Sequence, residues 1–189
     1  MKLKRILALG VMLLLLTGCY SSGGGEMNQA LALRTKLLKA ACCTFQAEVS
    51  ADFGEKCYAF TMDCTADDKG NVTFCVTAPE SIADITGEIS AQAGKLTFDG
   101  TALDFGLLAD GRLSPVSAPW VLMKALRSGC ITGAGTDGDS LCLNISDSFA
   151  EDALKLDIWL GKDGLPRKAD ISSAGVRILS LSVENMAVL

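Results

Sequence analysis

The hydrophobic pattern of the chain changes period several times, and each change marks a predicted element. Residues 6–16 form an eleven-residue apolar run, too short to span a bilayer comfortably, which takes roughly 20 residues. Over residues 27–41 the apolar positions recur at helical spacing. Ala30, Leu31, Leu33, Leu37, Leu38 and Ala41 stand against a polar side of Arg34, Lys36 and Lys39. No Gly or Pro interrupts this stretch, and its late bases suit the negative end of a helix dipole. At Thr44 the period drops to two. Phe45, Ala47 and Val49 alternate with Gln46, Glu48 and Ser50. Tyr58, Phe60, Met62 and Cys64 alternate with Cys57, Ala59, Thr61 and Asp63, and Val72, Phe74 and Val76 with Thr73, Cys75 and Thr77. Asp52-Phe53-Gly54-Glu55 and Asp67-Asp68-Lys69-Gly70-Asn71 turn the chain between them, so three antiparallel strands with one apolar face are expected.

Pro79 ends the third strand. Residues 82–89 and 95–99 read as further strands cut by Gly87, Gly94 and Gly100, while 103–113 is apolar but irregular. Pro119 and Gly129 frame a helix over residues 120–127. That helix is apolar nearly all round and is expected to be covered on several sides. Strands follow over 141–145, 154–160, 167–172 and 177–183, with turns at Gly161-Lys162-Asp163-Gly164 and Ala174-Gly175. The fold class this predicts is α+β, mostly antiparallel β, with a single domain over residues 27–189.

The N-terminus changes the picture. Lys2, Lys4 and Arg5 precede the apolar run, and two small residues and Cys19 follow it, the three parts of a secretory signal peptide. Leu16-Thr17-Gly18-Cys19 resembles the bacterial lipobox. The resemblance implies that residues 1–18 are removed and that Cys19, acylated with chains of the palmitate type, becomes the first residue of a lipid-anchored protein. Such chains contribute about 0.8 kcal/mol per buried methylene, so several on one residue hold firmly. Residues 19–26, with Ser21-Ser22-Gly23-Gly24-Gly25 at their centre, read as a flexible tether of about 15 Å. The location expected is extracytoplasmic, at the cell membrane, or at the outer membrane where the envelope has one.

Loss of Lys2, Lys4 and Arg5 leaves 14 bases against 22 acids, a net charge of −8 for the mature chain. Nucleic acid, whose phosphates demand a basic face, is excluded as a partner. Anionic headgroups are expected to add nothing to membrane attachment, which falls to the anchor. The chain has no histidine, which removes histidine triads, histidine bases and most zinc sites. Neither a metal nor a cofactor is expected. Seven cysteines remain beside Cys19, an odd and irregularly spaced set without a C-x-x-C. Buried free thiols are expected for most of them, with one or two disulfides as the alternative and no bond between Cys57 and Cys75.

Several motifs fail on context. Gly133-Ala134-Gly135-Thr136-Asp137-Gly138 spells a dinucleotide fingerprint, but a strand follows where a helix is needed, so a hairpin loop is expected. Asp52-Phe53-Gly54 and Asp104-Phe105-Gly106 spell the kinase D-F-G without its companion motifs and read as turns. Asp147, Glu151, Asp152 and Asp157 read as a solvated turn and strand face, not a hydrolytic carboxylate pair. No enzyme is expected.

The order of elements then suggests a family. A Phe45-x-Ala47-x-Val49 strand follows the first helix. The closing strands carry Leu156-x-Ile158-Trp159-Leu160, Gly164-Leu165-Pro166, Ala169-x-Ile171 and Gly175-x-Arg177-Ile178. This resembles the LolA/LolB-like and LppX/LprG-like bacterial lipoproteins. The resemblance implies an open, curved antiparallel sheet, a half-barrel wrapped around an N-terminal helix and a central lid helix, holding a lipid or other hydrophobic ligand on its concave face. Candidate lining residues are Phe45, Val49, Tyr58, Phe60, Met62, Phe74 and Val76 on the sheet, and Trp120, Leu122, Met123 and Leu126 on the lid. Each also reads as plain core. The alternative function is therefore a non-catalytic envelope lipoprotein with a filled core that acts through its surface.

Overall fold

The computed structural model describes residues 24–189 except 53, 55, 56, 107, 110, 111 and 151. The signal peptide, Cys19 and residues 20–23 of the expected tether lie outside the described residues. Helix α1 spans Gly24–Lys39, so it begins three residues earlier than its apolar period indicates and takes up Gly24, Gly25 and Glu26. It buries only Ala30, Leu33 and Leu37. Leu31 and Leu38 face outward, and Ala41 is exposed beyond the helix end. A helix packed on one side needs only a narrow stripe, and six apolar positions in fifteen residues supply more than one.

Strands β1 (Cys42–Asp52), β2 (Cys57–Asp67) and β3 (Val72–Ala78) form the expected meander, with inward and outward residues alternating along each. A 3-10 turn at Glu80–Ile82 then precedes β4 (Thr86–Ile89), which shortens the strand expected over 82–89. Asp84, with φ at 65°, makes the corner between them. Next come β5 (Gly94–Phe98) and β6 (Thr101–Phe105), and the small pair β7 (Leu108–Ala109) and β8 (Arg112–Leu113). A 3-10 turn at Pro115–Ser117 leads into helix α2 (Ala118–Ser128), which buries eight of its eleven residues, as an all-round apolar helix must.

The chain closes through β9 (Cys130–Asp137), β10 (Ser140–Ser146), β11 (Lys155–Leu160), β12 (Pro166–Ser173) and β13 (Val176–Val188). The glycine run at 133–138, expected as a hairpin loop, is for the most part strand β9, and only Gly138 and Asp139 make the turn. Cross-strand pairing with Asn144 and Cys142 outweighs the weak strand propensity of Gly133 and Gly135.

Eleven strands make one antiparallel sheet in the order β6-β5-β4-β3-β2-β1-β13-β12-β11-β10-β9, with β7 and β8 apart. β13 returns beside β1, with Ala47 opposite Val183 and Val49 opposite Leu181. The two ends of the sheet, β6 and β9, do not pair with each other, so the half-barrel is open. Register shifts interrupt five of its ladders, including a bulge opposite Phe45 where Asn185 takes a φ of 53°. Such bulges bend and twist a sheet locally. On the concave side, Gly87 and Gly94 leave room for the rings of Phe74 and Phe105, which lie where a Cβ would stand. One core cluster runs from α1 and α2 across the inner face of the sheet.

Candidate functional site

The candidate lining residues assemble by strand register. Val49 stands opposite Phe60, Phe45 opposite Cys64, Cys64 opposite Phe74, and Met62 opposite Val76. Phe45, Val49, Phe60, Met62, Phe74 and Val76 therefore share one continuous face over β1–β3, and all six are buried. Trp120, Leu122, Met123 and Leu126 are buried on α2 in the same cluster. Tyr58 differs. It is 45% exposed at the strand end, where it lines a cleft of about 240 Å³ with Ala51, Asp52, Cys57, Ile178 and Leu179.

Besides the apolar packing of its eight buried residues, α2 is tied down by hydrogen bonds at its two ends. The Trp120 indole donates from Nε1 to the Gly70 carbonyl at 3.0 Å, and Arg127 donates from Nη1 to the Asp67 carbonyl. Both acceptors belong to the β2–β3 turn, and Asp67 builds that turn. Its carboxylate accepts the backbone N–H groups of Lys69 and Asn71 at 2.9 and 2.8 Å and the Asn71 side-chain amide at 2.9 Å. Partial burial opposes the charge on Asp67, but these donors outweigh it and hold the carboxyl below its ordinary range.

At its C-terminus α2 meets α1. Arg34 donates from Nε to the Leu126 carbonyl at 2.8 Å, and from Nη2 to Gly129 at 2.7 Å and Ala125 at 3.3 Å. The Leu126 carbonyl is among those a helix end leaves without an intrahelical partner, while the Ala125 carbonyl also accepts the Gly129 N–H at 2.8 Å. One guanidinium thus joins the two helices across more than ninety residues of sequence. Sequence reasoning placed Arg34 only on a solvated polar side and missed this role, because its partners are backbone atoms that no side-chain pattern reveals.

The interior is otherwise apolar. Ser117 is the buried polar residue of the core, and its hydroxyl has no partner among the described residues. No group of three or more metal-ligating side chains occurs among the described residues. The seven cysteines are unpaired. Cys43 and Cys64 are buried, Cys42, Cys75, Cys130 and Cys142 half-buried, and Cys57 exposed. Burial as small hydrophobes thus describes two of the seven and not most of them. Cys57 opens β2 at the sheet end, while Cys75 and Cys142 point away from the concave side. Burial pushes the Cys64 and Cys43 thiols up.

A second recess, an open bay of about 800 Å³, lies on the convex side of β1–β5. Thr44, Thr65, Thr73, Thr86 and Thr97 line it with Asp63, Glu88 and Lys95, and Gln46 donates to Asp63 at 2.9 Å. It is open to solvent, and Phe45, Cys64 and Phe74 also contribute to its lining. The sheet and its site define a helix-covered open half-barrel with an apolar concave face.

No protein-family model and no curated protein matches the chain. Solved structures of similar architecture exist. An uncharacterized conserved protein from Thermus thermophilus is 13% identical, covering 86% of this chain and 87% of its own, with a TM-score of 0.47. A LolA superfamily protein from Nitrosomonas europaea is 9% identical over 85% of this chain and 93% of its own, with a TM-score of 0.43. The lipoprotein LppX of Mycobacterium tuberculosis is 13% identical over 86% and 93%, with a TM-score of 0.41. The LolA-like and LppX-like groups named from the sequence motifs are thus both represented. At these scores the likeness says nothing of what this chain binds.

Proposed function

We propose that this protein is an extracytoplasmic lipoprotein, anchored through acylated Cys19, that holds a lipid or other hydrophobic ligand between the concave face of its half-barrel and α2. One observation carries the reading: a continuous apolar face on an unclosed sheet is covered by an eleven-residue helix whose long-range hydrogen bonds lie at its two ends. Such a cover separates from the sheet by breaking these end contacts and exposing its apolar face, and acyl chains that take its place against the sheet offset that exposure. Phe45, Val49, Phe60, Met62, Phe74 and Val76 then meet acyl chains in place of Trp120, Leu122, Met123 and Leu126. Tyr58, at the exposed strand end, stands at the rim. The role needs no catalytic residue and no cofactor.

A second reading has its own observation. Ten of the eleven candidate residues are buried in the closed form, which suits a filled core and an envelope protein that works through its surface. Mass spectrometry of lipid extracted from the purified mature protein, with displacement of a hydrophobic dye by fatty acid, separates the two. Bound lipid and saturable displacement support the carrier. Neither lipid nor saturable binding rejects it in favour of the filled core.

A further inference from the structure

We propose that the outward face of α1 is a docking surface for a bilayer containing anionic phospholipid. α1 turns Ala30, Leu33 and Leu37 into the half-barrel and leaves Leu31 46% and Leu38 62% exposed on its other side, two turns apart. Thr35 lies between them, and its hydroxyl bonds back to the Leu31 carbonyl at 2.8 Å. The strip Leu31–Thr35–Leu38 therefore presents apolar surface without an unsatisfied hydroxyl. Lys39, one turn on from Thr35, is exposed beside this strip, Lys36 is exposed further round the helix, and Glu26, the acid of the helix, lies at the far end.

Charge separates this helix from the rest of the domain. α1 holds three bases and one acid, and the remainder of the mature chain holds 11 bases and 21 acids. A net charge of −8 for the mature chain hides this asymmetry. An anionic surface attracts the helix and repels the remainder, which fixes one orientation. Arg34 adds its charge to this balance but no headgroup contact, because its guanidinium is engaged at the end of α2.

Chain length brings the surface within reach, and here the inference rests on the reading of Cys19 as the acylated residue. Five residue steps join Cys19 to Gly24, at most about 18 Å of extended chain. Leu31 and Leu38 follow about 10 and 21 Å further along the helix axis. Two leucines and a threonine methyl make a weak membrane contact alone. A short tether makes the contact intramolecular, which raises its effective concentration. Docking places the α1–α2 junction, and with it the C-terminal end of the cover, beside the bilayer.

The test uses the full chain, processed in a bacterial envelope, purified and reconstituted into vesicles of phosphatidylethanolamine and phosphatidylglycerol. Two variants report, L38W on α1 and L103W on edge strand β6, where Leu103 is also exposed. Lipids brominated high on the acyl chain are expected to quench L38W and to leave L103W at the wild-type level. Replacing phosphatidylglycerol by phosphatidylcholine, or adding K36E and K39E, is expected to reduce that quenching severalfold. Equal quenching of both variants, or none of L38W, overturns the proposal. So does a concentration-dependent blue shift of L38W without lipid, which places a second copy of the chain on this face. The mass of the N-terminal peptide tests the anchor separately. If Cys19 is unmodified, flotation decides: binding to anionic vesicles that K36E/K39E weakens about tenfold or more supports docking, and no binding overturns it.

Discussion

Single residues show how much depends on where a side chain lands. Gly129 sits just past α2, where glycine ordinarily supplies a left-handed cap, yet its φ is −65°. Its role is close approach, since a Cβ there would meet Ile145 Cγ2 at 2.5 Å and the Ala125 carbonyl at 2.7 Å. Asp67 shows the same dependence electrostatically. Its folded pKa lies below the unfolded value of about 3.9. The stability it adds is therefore present above that pH and is lost as pH falls through the lower folded value. Urea unfolding is expected to show a midpoint that declines below about pH 4, and D67N is expected to flatten this decline. Because the same turn accepts Trp120 and Arg127, loosening of α2 in acid, followed by amide exchange over 118–128, belongs to the same prediction. Thiol access follows burial. Exposed Cys57 is expected to be alkylated first in the native protein. Buried Cys64, its thiol held protonated by desolvation, is expected to react only after unfolding. Equal rates at the two would contradict this difference in burial.

At the scale of elements, the cover helix depends on α1 more than on its own sequence. α2 has no side-chain cap at its N-terminus, and Arg34 supplies the donors for the carbonyls at its other end. Hydrogen bonds to a charged, part-buried donor contribute more than neutral ones, so R34A is expected to cost about 2–3 kcal/mol in urea unfolding. R34K keeps the charge but loses the planar fork, and should recover less than half. If both variants unfold as the wild type does, the helix junction contributes no stability. In the carrier reading, R34A is also expected to speed ligand exchange, because the cover opens more readily.

At the scale of the molecule, two sequence-local meanders, β1–β6 and β9–β13, meet at a single ladder between β1 and β13. Leu181 lies in that ladder at 1% exposure, whereas Leu103 lies on an outer strand at 62%. An unpaired charge at the first position cannot be solvated. L181D is thus expected to cost more than about 4 kcal/mol and to abolish the folded far-ultraviolet spectrum. L103D, on the solvated edge, is expected to leave it intact. A folded L181D protein would contradict the central place given to this ladder. The strands themselves were legible in the sequence because a strand's side-chain period is local and exact to two residues. Phe45, Val49, Phe60, Met62, Phe74 and Val76 were therefore assigned to one face correctly, and α2, expected to be covered on several sides, buries eight of its eleven residues. The face of α1 was less legible, because six apolar positions offered more than one stripe and only packing selects among them. The glycine-rich β9 was read as a loop because its pairing with β10 outweighs a propensity that is visible locally. By itself the sequence determined the alternation that builds the sheet, the two helical segments and the acidic, histidine-free chemistry, all properties of neighbouring residues. Only the tertiary structure decided that the sheet stays open, that Arg34 joins two helices, and that Leu31 and Leu38 face outward. Those facts depend on contacts between residues far apart in the chain, which no local period encodes.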